Sequence, residues 1–138
     1  MRASSLVFVP LIALSLLLGV GCNSKVGECN KLIGVMNTEG AKVNAKGTDA
    51  AGLKKMADDL EASAKVIGEV ELTTPELIKY RAGAQKVYTD VAAGARASAQ
   101  AMETKDLGKV AGAMKTLSES AQANTKLVSE VNSFCQGK

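Results

Sequence analysis

Apolar residues return every three or four positions in four separate segments of the chain, and polar residues fill the places between them. This spacing puts the apolar side chains on one face of an α-helix. Proline occurs only at Pro10 and Pro75, so little interrupts these segments. Short connections between them make successive helices run in opposite directions. The pattern therefore predicts an all-α fold, an antiparallel up-down-up-down four-helix bundle.

Each predicted helix has one apolar stripe that we expect to face the core. The first helix is expected over about residues 25–43, and the others follow turn-forming stretches. The predicted inward positions are Val26, Cys29, Leu32 or Ile33, Met36 and Val43 in helix one; Leu53, Ala57, Leu60, Ala64, Ile67 and Val70 in helix two; Leu77, Tyr80, Ala84, Val87, Val91, Gly94, Ser98 and Ala101 in helix three; and Leu107, Val110, Met114, Leu117, Ala121, Asn124, Val128, Val131 and Cys135 in helix four.

Residues that cap helices mark where three of these segments begin. Asp49 and Asp106 each precede a stripe and have side chains that accept hydrogen bonds from a first helical turn. Before helix three, Thr73 or Thr74 can serve as the cap, and Pro75 suits the first turn. Thr73 and Glu76 also have the spacing of a capping box. These residues predict the starts of helices two, four and three, respectively.

A removable leader precedes the bundle. Arg2 supplies a positive start, and residues 6–20 form an uncharged apolar run. This run has about the length of the apolar part of a signal peptide and is shorter than the roughly 20 residues that cross a bilayer. It ends in the small residues Gly19-Val20-Gly21, directly before Cys22. An uncleaved signal anchor with Cys22 at its end is the alternative interpretation.

The segment that ends at Cys22 resembles the lipobox of bacterial lipoproteins, in which small residues precede the cysteine. It departs from that pattern at Gly19, where the family usually has leucine. The resemblance implies that residues 1–21 are a cleaved signal peptide. It also implies diacylglycerol on the Cys22 thiol and an N-acyl chain on its amine, which together anchor the protein to a membrane. Asn23 in place of aspartate implies a cell-envelope location at the outer rather than the inner membrane.

The cysteine count fits this leader. The chain has three cysteines, Cys22, Cys29 and Cys135. Lipidation of Cys22 would leave an even pair in the mature domain, residues 22–138, outside the reducing cytosol. In an antiparallel bundle the start of helix one and the end of helix four lie at the same end. The sequence therefore predicts a Cys29–Cys135 disulfide, with two free buried thiols as the alternative.

Composition argues against several classes of function. The chain has no histidine, so it lacks an imidazole base for a nucleophile and histidine ligands for zinc or haem. Asp58, Asp59 and Glu61 could bind calcium, but we interpret them as a solvated helix face. The net charge of +3 is spread along the chain without a basic cluster. We predict no enzyme, no metal site, no cofactor beyond the acyl chains, and no nucleic-acid partner.

Two features indicate an interaction site. Asn124 is the strongly polar residue of the helix-four stripe, and residues 91–102 of helix three are mostly small. We expect a candidate ligand groove between helices three and four, lined by Ser98, Ala101 and Asn124. A buried asparagine that sets helix register and simple close packing explain the same residues. Two functions follow: a protein-binding adaptor, chaperone, inhibitor or structural element with an unidentified envelope partner, or a lipid-anchored small-molecule carrier.

Overall fold

The computed structural model describes residues 20–43 and 47–137, with side chains described from residue 24 onward. Four helices make up this part of the chain, and it contains no strand, which confirms the predicted all-α fold. Residues 1–19 of the predicted leader and the side chain of Cys22 lie outside the described residues, so lipidation stays a prediction. The helices are α1 (Val20–Lys42), α2 (Ala50–Gly68), α3 (Pro75–Glu103) and α4 (Leu107–Cys135).

Two of the three predicted caps are present. The Asp49 side chain accepts a hydrogen bond from the Gly52 backbone N–H at 2.8 Å, and Asp106 accepts one from the Lys109 backbone N–H at 3.1 Å. At the start of α3, Thr74 is the N-cap residue and Pro75 lies in the first turn, as predicted. The Thr74 side chain makes no capping hydrogen bond, and the predicted capping box of Thr73 and Glu76 is wrong.

Glu28 of α1 binds the two residues that lead into α3. Its carboxylate accepts hydrogen bonds from the backbone N–H groups of Thr73 and Thr74, each at 2.9 Å, and from the Thr73 hydroxyl. The hydrogen bond from the Thr73 side chain is the main reason that the pKa of Glu28 falls to about 2. This acceptor lies 45 positions away in the sequence, so local spacing could not indicate it.

The helix α3 lies between α2 and α4 and buries more than one face. The predicted positions Leu77, Ala84, Gly94, Ser98 and Ala101 are buried, but so are Ala92, Ala95 and Ala99, which the single predicted stripe missed. The central position of α3 explains the difference, because a helix with two neighbours needs small residues on two sides. The repeat of alanines at spacings of three and four was the available signal.

The α2 stripe is largely correct, since Ala57, Leu60, Ala64 and Ile67 are buried. The α4 stripe needs correction at its apolar positions. Leu107, Met114 and Val128 are 81%, 56% and 39% exposed, and Ala121 is exposed as well. The buried residues of α4 are Ala113, Ser120 and Val131. A seven-residue repeat can follow either of two neighbouring apolar stripes on one helix. On α4, α3 covers only one of these two stripes.

Two core clusters divide the bundle at Tyr88, which packs against both. The disulfide half is built around Cys29, Leu32, Met36, Ile67, Leu77 and Ala84. The distal half is built around Ala57, Leu60, Ala92 and Ala95. The helix α1 ends at Lys42, with Gly40 beside Tyr88, so α1 accompanies α3 through the disulfide half only.

Ion pairs between α2 and α3 join opposite ends of the two helices. Lys54, near the start of α2, contacts Glu103 at the end of α3 at 2.6 Å. Further along α2, Glu61 contacts Arg96 at 2.8 Å. This order of contacts shows that α2 and α3 run in opposite directions.

Candidate functional site

A disulfide joins the start of α1 to the end of α4. Cys29 and Cys135 have Cα atoms 5.8 Å apart, and they are separated by 106 positions in the sequence. The predicted pairing fits the structure. Phe134 strengthens the junction, because the Lys25 ammonium lies 4.0 Å from the centroid of its ring and Tyr80 packs against it edge to face.

Beyond the disulfide, a groove of about 410 Å³ opens between α1 and α4. Its walls come mainly from these two helices, and α3 contributes one residue. The lining contains aliphatic, amide and phenol side chains and no charged residue. The lining residues are Ile33, Met36, Asn37, Gly40, Tyr88, Asn124, Val128, Val131 and Asn132.

Tyr88 supplies a hydroxyl group to this groove. The hydroxyl donates a hydrogen bond to the Met36 carbonyl at 3.5 Å. It approaches α1 at Gly40, where a Cβ atom would lie 3.2 Å from the hydroxyl oxygen. Burial, and secondarily the negative charge of Glu39, raises the pKa of Tyr88. At neutral pH the groove therefore contains a neutral phenol next to apolar walls.

The structure does not bring the three predicted groove residues together. Asn124 lines the groove between α1 and α4, whereas Ala101 borders a separate depression between α3 and α4, next to Gly112 and Thr116. Ser98 is buried, and its Oγ has no hydrogen-bond partner. The sequence could not show that α1 would form the second wall beside Asn124, because that depends on how far α1 and α4 separate.

Both helices that flank this groove present exposed faces without charged residues. At 100° per residue, each of these faces is continuous over several turns. We call them the α1 open face and the α4 open face. The α1 open face consists of Val26, Gly27, Asn30, Ile33, Gly34, Asn37, Gly40 and Ala41, and the α4 open face consists of Leu107, Ala111, Met114, Ser118, Ala121, Gln122, Thr125, Val128, Ser129 and Asn132.

Charged residues of α4 lie outside its open face. Two pairs, Lys115–Glu119 and Lys126–Glu130, follow each other along one flank of this face with nitrogen–oxygen distances of 3.8 Å. Lys109 reaches back to Asp106 at the helix start. The open face thus differs from the rest of α4 in its chemistry as well as in its exposure.

The acidic residues of α2 are paired with basic side chains. Arg96 of α3 contacts Asp58 at 2.7 Å and Glu61 at 2.8 Å, and Lys55 contacts Asp59 at 3.2 Å. The hydrogen bond from Arg96 lowers the pKa of Glu61, and the two carboxylates raise the pKa of Arg96. Arg96 is exposed, and its role in linking α2 to α3 was not predicted from the sequence. Within the described residues, no cluster of side chains could hold a metal ion.

Within the described residues, neither a membrane-spanning helix nor a matching protein indicates what this site binds. In the part of the chain that the structure describes, no helix is both long and apolar enough to cross a bilayer. No family model, curated protein or solved structure matches the chain.

Proposed function

We propose that residues 22–138 form a non-enzymatic, protein-binding module that acyl chains on Cys22 hold at the cell-envelope membrane. The observation that supports this function best is the pair of open faces on α1 and α4. They expose apolar and amide side chains over several turns without a charge, next to a groove. Contiguous exposed apolar surface often marks a protein-binding site, and charged residues are depleted at the centres of such interfaces.

The remaining surface of the bundle contrasts with these faces. On α2 and α3, exposed residues form ion pairs such as Lys55–Asp59 and Lys86–Asp90. Pairs of this kind contribute little to stability and keep a surface soluble. A partner that selects the uncharged faces would avoid the cost of removing water from such charges.

The proposed anchor is compatible with a binding site along the side of the bundle. Cys22 precedes Cys29 by about two helical turns, so the acyl chains would hold the disulfide half near the membrane. The groove runs along α1 and α4 away from that end and would face the envelope space. Asn23 directly follows Cys22, at the position that directs membrane sorting in the lipoproteins that the leader resembles. Asparagine in place of aspartate there supports an outer-membrane location.

Photo-crosslinking in the native membrane tests this function. A photoreactive residue at Asn37 lies on the α1 open face at the groove, and one at Lys86 lies on the ion-paired surface of α3. We expect irradiation to produce a protein adduct from position 37 and none from position 86. Equal labelling at both positions, or none at either, would contradict a binding site on the open faces.

The mass of the intact protein from the same membranes, without reductant, tests the anchor. We expect the mass of residues 22–138 plus acyl chains, less two hydrogens for the disulfide. The mass of the uncleaved chain would remove the lipoprotein interpretation.

A small-molecule carrier is the second candidate function, and the groove between α1 and α4 is the observation that favours it. Its volume of about 410 Å³ falls in the range of small-molecule sites, roughly 300–1,000 Å³. Ile33, Met36 and Val131 supply apolar contacts, and the Tyr88 hydroxyl supplies a polar one. Native mass spectrometry of the extracted protein should then reveal a bound molecule that is lost in Gly40→Leu, a change that fills the groove.

A further inference from the structure

Among the described residues, the α4 open face has no intramolecular neighbour in the distal half. There α4 packs on α3, while α2 and α4 do not pack against each other, and α1 has already ended at Lys42. Apolar side chains recur at intervals of seven residues along this face, at Leu107, Met114, Ala121 and Val128. That interval is the period of a helix that packs lengthwise against another helix.

The absence of charge on this face indicates what kind of helix fits it. When two identical helices pair in parallel about a two-fold axis, each contact residue meets its own copy. Any charge in the contact would therefore face the same charge. The α4 open face avoids this between positions 107 and 132, although α4 carries five charged residues on its other sides.

Side-chain size also suits a close self-contact. The positions between the apolar ones are Ala111, Ser118, Thr125 and Asn132. Together with the seven-residue series they alternate at spacings of four and three, as in a coiled-coil seam. Small residues at most of these positions let two helix backbones approach closely. Asn132 would meet its copy, and paired asparagines at such a seam favour one register.

We infer that the α4 open face binds the α4 open face of a second copy of this chain, in parallel and in register. The inference rests on the proposed function and names its partner. A lipid anchor at Cys22 supports the parallel orientation, because two chains in one membrane leaflet point in the same direction. The shared membrane also raises the local concentration of the second copy. Leu107, Met114 and Val128 would become buried between the two chains.

Cross-linking of variants with one added cysteine in the native membrane tests this pairing. Ala111→Cys places a thiol in the proposed seam, and Ala123→Cys places one on an exposed position of the opposite side of α4. A short bismaleimide links only free thiols, so it spares the Cys29–Cys135 disulfide. We expect A111C to produce a product of twice the monomer mass and A123C to remain monomeric.

A second substitution adds a charge to the seam. Ala121→Glu in the A111C background would set two carboxylates against each other and should reduce the dimer to the level of the A123C control. Ala123→Glu in the same background is the matched change outside the seam and should leave the dimer intact.

Three results would overturn the inference. Equal and low cross-linking of A111C and A123C would show that a second copy does not cover this face. Cross-linking between mixed A111C and Val128→Cys chains, with none for either variant alone, would indicate an antiparallel pair. A product of A111C with a different protein would assign the face to that protein, and the proposed function would still hold. Failure of the proposed function itself would appear separately, as the absence of any adduct from position 37.

Discussion

The two halves of the bundle use the same helices but different side chains. In the disulfide half, four helices surround long residues such as Leu32, Ile67 and Leu77. In the distal half, α1 is no longer present as a helix, and the core is built largely of alanine, including Ala92 and Ala95. The difference shows what α1 supplies. Where α1 is present, long side chains are buried. Where α1 has ended, α4 leaves apolar side chains exposed.

The physical reason lies in the area that each side chain can bury. Stabilisation is roughly 25 cal/mol for each Å² of apolar surface removed from water, so alanine contributes much less than leucine. The distal half compensates with close helix contacts. At Gly94 an added Cβ atom would lie 3.1 Å from the Leu117 side chain. We therefore expect stability to be concentrated in the disulfide half, with the distal half available for binding.

Removal of the disulfide should have the largest effect. The bond closes a loop that spans 106 positions, and chain entropy for a loop of this size predicts a loss of about 4–5 kcal/mol. We expect the double variant Cys29→Ala/Cys135→Ala to lose stability in urea denaturation by that amount. A loss below about 1 kcal/mol would show that the disulfide half does not depend on its covalent link.

Truncation of an apolar side chain should lower the free energy of unfolding much more in the disulfide half than on exposed α4. Ile67 is fully buried in the disulfide half, whereas Met114 is 56% exposed on α4. We expect Ile67→Ala to cost about 2–5 kcal/mol and Met114→Ala to cost less than about 0.5 kcal/mol in the monomer. Equal losses in denaturation measured on dilute protein would contradict the contrast between the halves.

Overpacking should test how tightly the small residues of the distal half meet. Ala101 is buried, and it lies where α3 faces the start of α4. We expect Ala101→Leu to cost about 1–3 kcal/mol, measured by thermal or urea unfolding. Ala97→Leu is the control, because this residue is exposed one helical turn away. Full tolerance of A101L would favour a ligand groove between α3 and α4 instead.

Acid should lower the stability of the folded protein through Glu28, and this is the smallest of the expected effects. Its pKa is about 2 in the folded protein, against an ordinary value of 4.5. The stability that it supplies is therefore present above pH 4.5 and is lost as the pH falls from 4.5 toward 2. We expect Glu28→Gln to flatten the dependence of stability on pH in that range, measured by denaturation at several pH values. Glu119→Gln on the exposed side of α4 should leave the curve unchanged.

Sequence periodicity predicted the buried face of α2 better than that of α4. The way in which neighbouring helices cover each one explains the difference. The helix α2 has one well-covered stripe, so its apolar spacing identifies the buried face from Ala57 to Ile67. The helix α4 has two apolar stripes, and periodicity cannot tell which one a neighbour covers. The prediction included both Val131, which is buried, and Met114, which is not.

For a similar reason, the candidate site could be predicted only in part from the sequence. Asn124 was singled out because a polar residue interrupts an apolar stripe, and it does line a groove. Its companions Ile33 and Asn37 are on α1, and no local pattern links them to α4. The uncharged character of the open faces, in contrast, can be read from the sequence once the orientation of each helix is known.

The sequence by itself determined the helical fold, the Asp49 and Asp106 caps, and the pairing of Cys29 with Cys135 at one end of the bundle. These follow from residue spacing, capping chemistry and the alternation of helix direction. Only the tertiary structure decided that Glu28 binds the residues just before α3, that Arg96 links α2 to α3, and that α4 keeps an uncharged face exposed. Each of these depends on the length and rotation of helices that are distant in the sequence, and local periodicity does not encode either quantity.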